Sequence, residues 1–220
     1  MTTVFLTGGT GYIGRRLIEQ LAGRGHRVLA LTRAASAGRL PASCEPVIGN
    51  ALDAASFRQA VPRGCTFVQL VGTPHPGPAK AKEFREVDLV SARASVAAAA
   101  AAGVAHFVYV SVAQPAPVMH AYLAVRAEAE QAIREAHLVS TILRPWYVLG
   151  PGHRWPYLLL PMYALARVLP SLRDGAERLH PVTLAQMLAA LVTAVEQPPA
   201  EGVRIVDVRA MRNAARSPAV

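Results

Sequence analysis

A short apolar run, Thr3-Val4-Phe5-Leu6, leads directly into Thr7-Gly8-Gly9-Thr10-Gly11-Tyr12-Ile13-Gly14, and no other feature constrains the chain as much. A continuous apolar run of this length reads as a strand buried on both faces of a parallel sheet. Ile13, Leu17, Ile18 and Leu21 then recur at helical spacing, and Gly23 and Gly25 close that helix. Glycines placed between a strand and a helix let the chain turn tightly and let its backbone approach an anion. The helix N-terminus adds free N–H groups and the positive end of a dipole. The turn therefore predicts a pyrophosphate cradle built from Gly8, Thr10, Gly11, Tyr12, Ile13 and Gly14. An ordinary glycine-rich βα turn is the alternative.

The alternation continues. Runs at 26–31, 45–48, 66–71, 106–111 and 139–143 read as further strands, and helical spacing at 53–61, 79–102 and 121–136 reads as the helices between them. Right-handed crossovers make such strands parallel. The expectation is an α/β fold, a Rossmann-type doubly wound parallel sheet, with residues 1–210 forming a single NAD(P)-binding domain. The pattern changes over 144–179, where five prolines and both tryptophans suggest a loop and a small helical cap, placed at 151–180. A final helix over 183–196 and a strand over 203–208 return to the sheet, and residues 211–220 read as a basic tail.

Composition narrows the function classes. A formal net charge of +9 raises nucleic acid as a partner, but the arginines are scattered singly, with no basic run and no interleaved aromatics. No nucleic-acid binding is expected, and the basic balance suits an anionic cofactor. Cys44 and Cys65 show no CxxC or metal-ligand spacing, and His75, His120, His153 and His180 form no zinc-like pair, so no metal is expected. Inert thiols and the lack of a leader-like N-terminus point to the cytoplasm. The longest apolar stretch, 157–172, is interrupted by Pro161, Arg167 and Pro170. It falls short of the ~20 apolar residues of a spanning helix. No spanning segment is expected, while peripheral membrane contact stays open. No GxSxG elbow supports a hydrolase.

The end of the second strand selects among dinucleotides. NAD binders carry an acid there, ~20 residues past the glycines, to accept from the ribose hydroxyls. This chain has Thr32-Arg33 and no acid nearby. The guanidinium fork of Arg33 suits a 2′-phosphate, so NADP is expected over NAD, with a solvated surface arginine as the alternative.

With these residues in view, the chain resembles the short-chain dehydrogenase/reductase superfamily, in its extended and atypical branches, over residues 1–208. The resemblance implies that Asn50 and Ala51, within Gly49-Asn50-Ala51-Leu52-Asp53, lie beside the adenine. It implies that Val71, Gly72 and Thr73 line the cofactor. It also implies that Pro145 and Val148, in the RPxxVxGP-like run Arg144-Pro145-Trp146-Tyr147-Val148-Leu149-Gly150-Pro151, lie beside the nicotinamide. The short chain is most similar to atypical members such as NmrA-like regulators and the NAD(P)H-binding subunit of respiratory complex I, a group that includes reductases and proteins that bind the cofactor without turnover.

In that superfamily a YxxxK pair and a serine do the chemistry. Tyr122 stands eleven residues after Ser111, and Arg126 takes the place of the lysine, four residues on and on the same helical face. The resemblance implies Tyr122 as acid/base, Arg126 as the group that orients ribose and tunes Tyr122, and Ser111 as the donor that polarises the substrate oxygen. Arg126 is bulkier than lysine and cannot repeat its compact ammonium contact. The aromatic and apolar segment Trp155-Pro156-Tyr157-Leu158-Leu159-Leu160-Pro161-Met162-Tyr163 suits a small apolar substrate. Two functions follow. One is an NADP-dependent oxidoreductase acting on an apolar carbonyl or quinone-like substrate. The other is a non-catalytic redox sensor or assembly subunit. Both monomer and homodimer are compatible with the alanine-rich helix over 92–102.

Overall fold

A computed structural model of the chain describes residues 1–151, 175 and 177–214. Strand β1 (Thr3–Thr7), helix α1 (Tyr12–Gly23) and strand β2 (Arg27–Thr32) make the first unit, followed by β3 (Glu45–Ile48) and β4 (Thr66–Gln69). A helical run then leads into α2 (Val90–Ala102), β5 (His106–Val110), α3 (His120–Glu135) and β6 (Ser140–Leu143). The short strands β7 (Val148–Leu149) and β8 (Val182–Thr183) pair with each other, and helix α4 (Leu184–Glu196), strand β9 (Val203–Val206) and helix α5 (Val208–Ala214) complete the described chain.

The main sheet has seven strands in the order β3-β2-β1-β4-β5-β6-β9, and every neighbouring pair is parallel. This is the expected doubly wound sheet. Its central strands β1, β4 and β5 are buried on both faces, which is why they read as continuous runs rather than alternating ones. On one face Phe5, Phe67 and Phe107 stand in register on β1, β4 and β5, with ring centroids 5.1 and 5.3 Å apart, and pack with α2 and α3. On the other, Val4, Leu6, Val68 and Val108 pack with Leu17, Ile18 and Leu21 of α1 and with Met187, Leu188 and Leu191 of α4. Each such side chain contributes about 1.5–3 kcal/mol when fully buried. The order reverses between β1 and β4, and a crevice opens beyond their carboxyl ends.

Three local expectations need correction. The helix expected over 53–61 is two 3₁₀ turns, Ala54–Ser56 and Arg58–Ala60, because Phe57 between them turns inward to stack on Phe5. Asp53 does cap the first turn, accepting from the Ala55 N–H at 3.0 Å. The helix expected over 79–102 is a succession: a 3₁₀ turn (Pro78–Lys80), an α-turn (Ala81–Glu83), a π-turn (Phe84–Leu89) and α2, closed by Gly103 in the left-handed region. The π-turn carries Phe84, Asp88 and Leu89 inward. The chain at 211–214 is no tail either, since it belongs to α5 and Met211 is fully buried against the α4 side of the core. Most of the expected cap, including 155–163, lies outside the described residues. Among the described residues no helix is long and apolar enough to cross a membrane, and no group of His, Cys, Asp or Glu could hold a metal ion. Burial raises the pKa of both thiols, that of Cys65 to about 11.

At the start of β5, His106 is buried with its Nε2 at 2.9 Å from Thr141 Oγ1. Burial pushes its pKa down to about 4, and the charge of Arg204 acts in the same direction. A histidine in the unfolded chain titrates near 6.5. Between pH 6.5 and 4 the unfolded chain therefore binds a proton that the folded chain does not, so this contribution is complete above pH 6.5 and is lost as the pH falls toward 4. Urea unfolding at pH 7 and pH 4.5 is expected to show His106→Gln losing less stability on acidification than the native chain, by about 2–3 kcal/mol.

Candidate functional site

The first βα turn has the properties its glycines require. Gly8 adopts φ +77, a conformation that side chains disfavour, and its carbonyl accepts from the Gly11 N–H at 3.0 Å. A Cβ on Gly14 would be driven into the Gly8 carbonyl oxygen, so helix and strand can approach this closely only without side chains. Gly11 caps α1 without a side-chain hydrogen bond, and no acidic side chain occupies the first turn. The N–H groups at that helix end are therefore left for an external anion.

The turn forms one wall of a cavity of about 510 Å³ at the carboxyl edge of the sheet. Gly8, Gly11, Tyr12, Ile13 and Gly14 line it after β1, and Gly72 and Thr73 after β4. Ser111 lines it after β5, Tyr122 from α3, and Pro145 and Val148 after β6. These expected residues, spread over 140 positions, are brought together. Thr10, Arg33, Asn50, Ala51, Val71 and Arg126 are not among the lining residues. Arg33 is exposed, at the head of the 3₁₀ turn Ala34–Arg39 that follows β2. The Asn50 side chain accepts from its neighbour's backbone, the Leu52 N–H, at 3.1 Å. Trp146 and Tyr147, from the run expected beside the nicotinamide, add aromatic lining, and sequence reading missed the apolar lining supplied by Pro74, Pro76, Val112 and Met119.

Arg126 departs most from expectation. Its side chain is only 6% exposed, and the guanidinium donates to Asp88 Oδ1 at 2.6 Å, to the Val110 carbonyl at 2.9 Å and to the Tyr109 hydroxyl at 3.1 Å. Burial acts to lower the Arg126 pKa, but Tyr109, Tyr122 and Asp88 overcome it and hold it above its ordinary value. Burial pushes Tyr109 up to about 12, against the opposing charge of Arg126. The cation lies 4.9 Å from the centroid of the Tyr122 ring, whose other neighbour is Phe84 with centroids 4.9 Å apart. The resemblance places Arg126 against a ribose; the structure places it behind Gly72, because the fork satisfies a buried carboxylate, a carbonyl and a phenol together. Asp88 also accepts from the Thr73 N–H at 2.9 Å and the Thr73 hydroxyl at 2.5 Å.

Ser111 is likewise engaged. Its hydroxyl donates to Glu130 Oε1 at 2.7 Å, and the same carboxylate accepts from Gln114, Arg134 and both arms of Arg144. Burial alone would raise the Glu130 pKa, but hydrogen bonds from Arg144 and Ser111 and the Arg144 charge hold it below the usual carboxylate range. An ionised carboxylate only accepts, so the Ser111 proton is committed to Glu130 and its oxygen turns lone pairs toward other partners. Glu130 was within reach of the sequence, four residues after Arg126 on one helical face. Asp88, 38 residues from Arg126, gave no local signal.

A family model described as NAD(P)H-binding matches residues 8–153. A ceramide reductase of Caulobacter vibrioides is 29% identical over 211 residues, covering 94% of this chain and 65% of that protein. The mitochondrial NADH dehydrogenase (ubiquinone) 1 alpha subcomplex subunit 9 of Arabidopsis thaliana is 24% identical over 214 residues, covering 89% of this chain and 50% of that protein. The chain thus spans under two thirds of the length of either relative. Among solved structures, the Bordetella bronchiseptica enzyme WbmH in complex with NAD+ shares the fold, with a TM-score of 0.68 and 21% identity over 94% of this chain and 75% of that one.

Gly14→Ala is expected to weaken NAD(P)H binding by roughly tenfold or more, about 1.4 kcal/mol, because the added methyl displaces the Gly8 carbonyl. Calorimetric titration reads the loss, and an unchanged affinity would contradict the close packing of the turn.

Proposed function

This chain belongs to the NAD(P)H-binding family, and from that premise we propose that it is an NADP-dependent reductase of the atypical short-chain dehydrogenase/reductase type, acting on an apolar carbonyl or quinone-like substrate. The observation that carries this reading is that Tyr122 and the glycine turn line one cavity. The cofactor fits that cavity, since the glycines leave a cradle that Cβ atoms would fill and α1 presents unsatisfied N–H groups. When bound, the nicotinamide supplies hydride.

The chain's own residues supply the rest. Tyr122 is the proton donor to the substrate oxygen, its ring fixed between contacts with Phe84 and Arg126. Arg126 acts through Tyr122 as a positioning residue. Ser111, its proton held by Glu130, serves as an acceptor at the cavity wall. Met119, Trp146, Tyr147, Pro74 and Pro76 exclude water and favour an apolar substrate. The likeness to a ceramide reductase supports a lipid-like carbonyl compound. Steady NADPH consumption is expected with some member of a panel of long-chain ketones and quinones. Tyr122→Phe is expected to lower kcat by about 10²–10⁴-fold with NADPH affinity retained. Turnover surviving in that variant would remove Tyr122 from the chemistry.

A second reading, a non-catalytic NAD(P)H-binding sensor or assembly subunit, is favoured by the engagement of Arg126 with Asp88 and of Ser111 with Glu130. The likeness to a respiratory-complex subunit supports it too. Tight NADPH binding with no consumption across the panel would select it.

Arg33 supports the preference for NADP. It stands exposed at the end of β2, with Arg39 closing the following turn and no acid between them. A charge-assisted hydrogen bond to a phosphate contributes about 1.5–3 kcal/mol. Arg33→Asp is therefore expected to shift the NADPH/NADH affinity ratio toward NADH by roughly 10- to 100-fold, measured by calorimetry. An unchanged ratio would place the 2′-phosphate elsewhere.

A further inference from the structure

Two buried charges stand directly behind the wall that Gly72 forms. A Cβ on Gly72 would lie 2.6 Å from Arg126 Nη2 and 3.2 Å from Asp88 Oδ1, so no side chain separates the ion pair from that stretch of cavity wall. The Asp88 side chain is 0% exposed and that of Arg126 is 6% exposed, so water screens neither. One turn further along α3, the buried carboxylate behind Ser111, Glu130, is matched by Arg144, with the half-exposed Arg134 beside it. Among the described residues Asp88, Arg126 and Glu130 are the fully ionic side chains buried beside the cavity, and each has an opposite charge in contact.

A nicotinamide ring carries a positive charge when oxidised and none when reduced. An uncompensated guanidinium buried behind the wall of the cavity that would hold the cofactor would disfavour the oxidised ring relative to the reduced one. Compensated by Asp88, it presents a dipole in place of a net charge. We propose that the Asp88–Arg126 pair sets the relative affinity of the site for oxidised and reduced cofactor, with Asp88 holding the wall electrically closed so that the oxidised form is not disfavoured. This inference rests on the NAD(P)H-binding assignment and is independent of the reductase reading. It also gives a physical role to arginine at position 126. The fork reaches Asp88, the Val110 carbonyl and Tyr109 together, which keeps the cation behind the wall and away from the cofactor.

The test compares dissociation constants for NADP+ and NADPH by calorimetry in the full chain and its variants. Asp88→Asn keeps the shape of the side chain and removes its charge. It is expected to raise the ratio of the NADP+ to the NADPH dissociation constant by roughly tenfold or more, the effect of one unit charge at an effective dielectric of about 20. The double variant Asp88→Asn with Arg126→Gln removes both charges and is expected to return the ratio to its native value. Arg126→Gln alone, leaving the carboxylate unbalanced, is expected to lower the ratio, and it serves as the charge test if Asp88→Asn does not fold. A parallel loss of both affinities with the ratio unchanged would reduce the pair to a purely structural element and overturn the proposal. Failure of the double variant to restore the ratio would do the same. Absence of any cofactor binding by the native chain would overturn both this inference and the function it builds on, whereas absence of NADPH turnover would leave this inference standing.

Discussion

The Asp88 carboxylate is the tie on which the architecture of the site depends. It accepts from Arg126 on α3 and from both the backbone and the hydroxyl of Thr73 after β4, while Arg126 in turn holds the end of β5 through Tyr109 and the Val110 carbonyl. Breaking a buried pair on one side costs about 3–5 kcal/mol, because the remaining charge is left without solvent or partner. The segment after β4, the end of β5 and the helix that carries Tyr122 are thereby fixed relative to one another. Glu130, one turn on along α3, repeats the arrangement, joining Ser111 after β5 to Arg144 after β6.

The sheet explains why these ties lie where they do. In an all-parallel sheet the chain leaves every strand at the same edge, so the segments after β1, β4, β5 and β6 converge there. Each of those segments has backbone groups that the ladder no longer satisfies. Gln69 shows the consequence. Its side-chain oxygen accepts from the Thr7 hydroxyl and from the Val71 N–H, and its amide donates to Ser91 on α2. The carboxyl edge is thus a band of buried polar groups between two apolar layers. The cavity is the opening in that band where the glycine turn leaves room.

How much of this was legible in the sequence follows from the range of each interaction. The strands, the turn and the order of elements are encoded in neighbouring residues, and 3–7, 12–23 and 45–48 fold as their local patterns require. Tyr122 and Arg126 were visible as a pair because a helix places positions four apart on one face. The partner of Arg126 was not, since Asp88 is brought to it by a π-turn and by packing of two helices. Residues 53–61 failed for the same reason: Phe57 gains more by joining the aromatic stack on Phe5 and Phe67 than by continuing a helix. A residue's type suggested what it could do, and only tertiary contacts decided what it was left free to do.

The claim on which the rest of the account stands is that the glycine turn and its cavity bind a nicotinamide dinucleotide. Calorimetric titration of NADPH into the full native chain tests it most directly. The account predicts saturable binding at one site per chain, competed by NADP+. Titration to millimolar cofactor without saturable heat, and without displacement in a fluorescence competition, would contradict it.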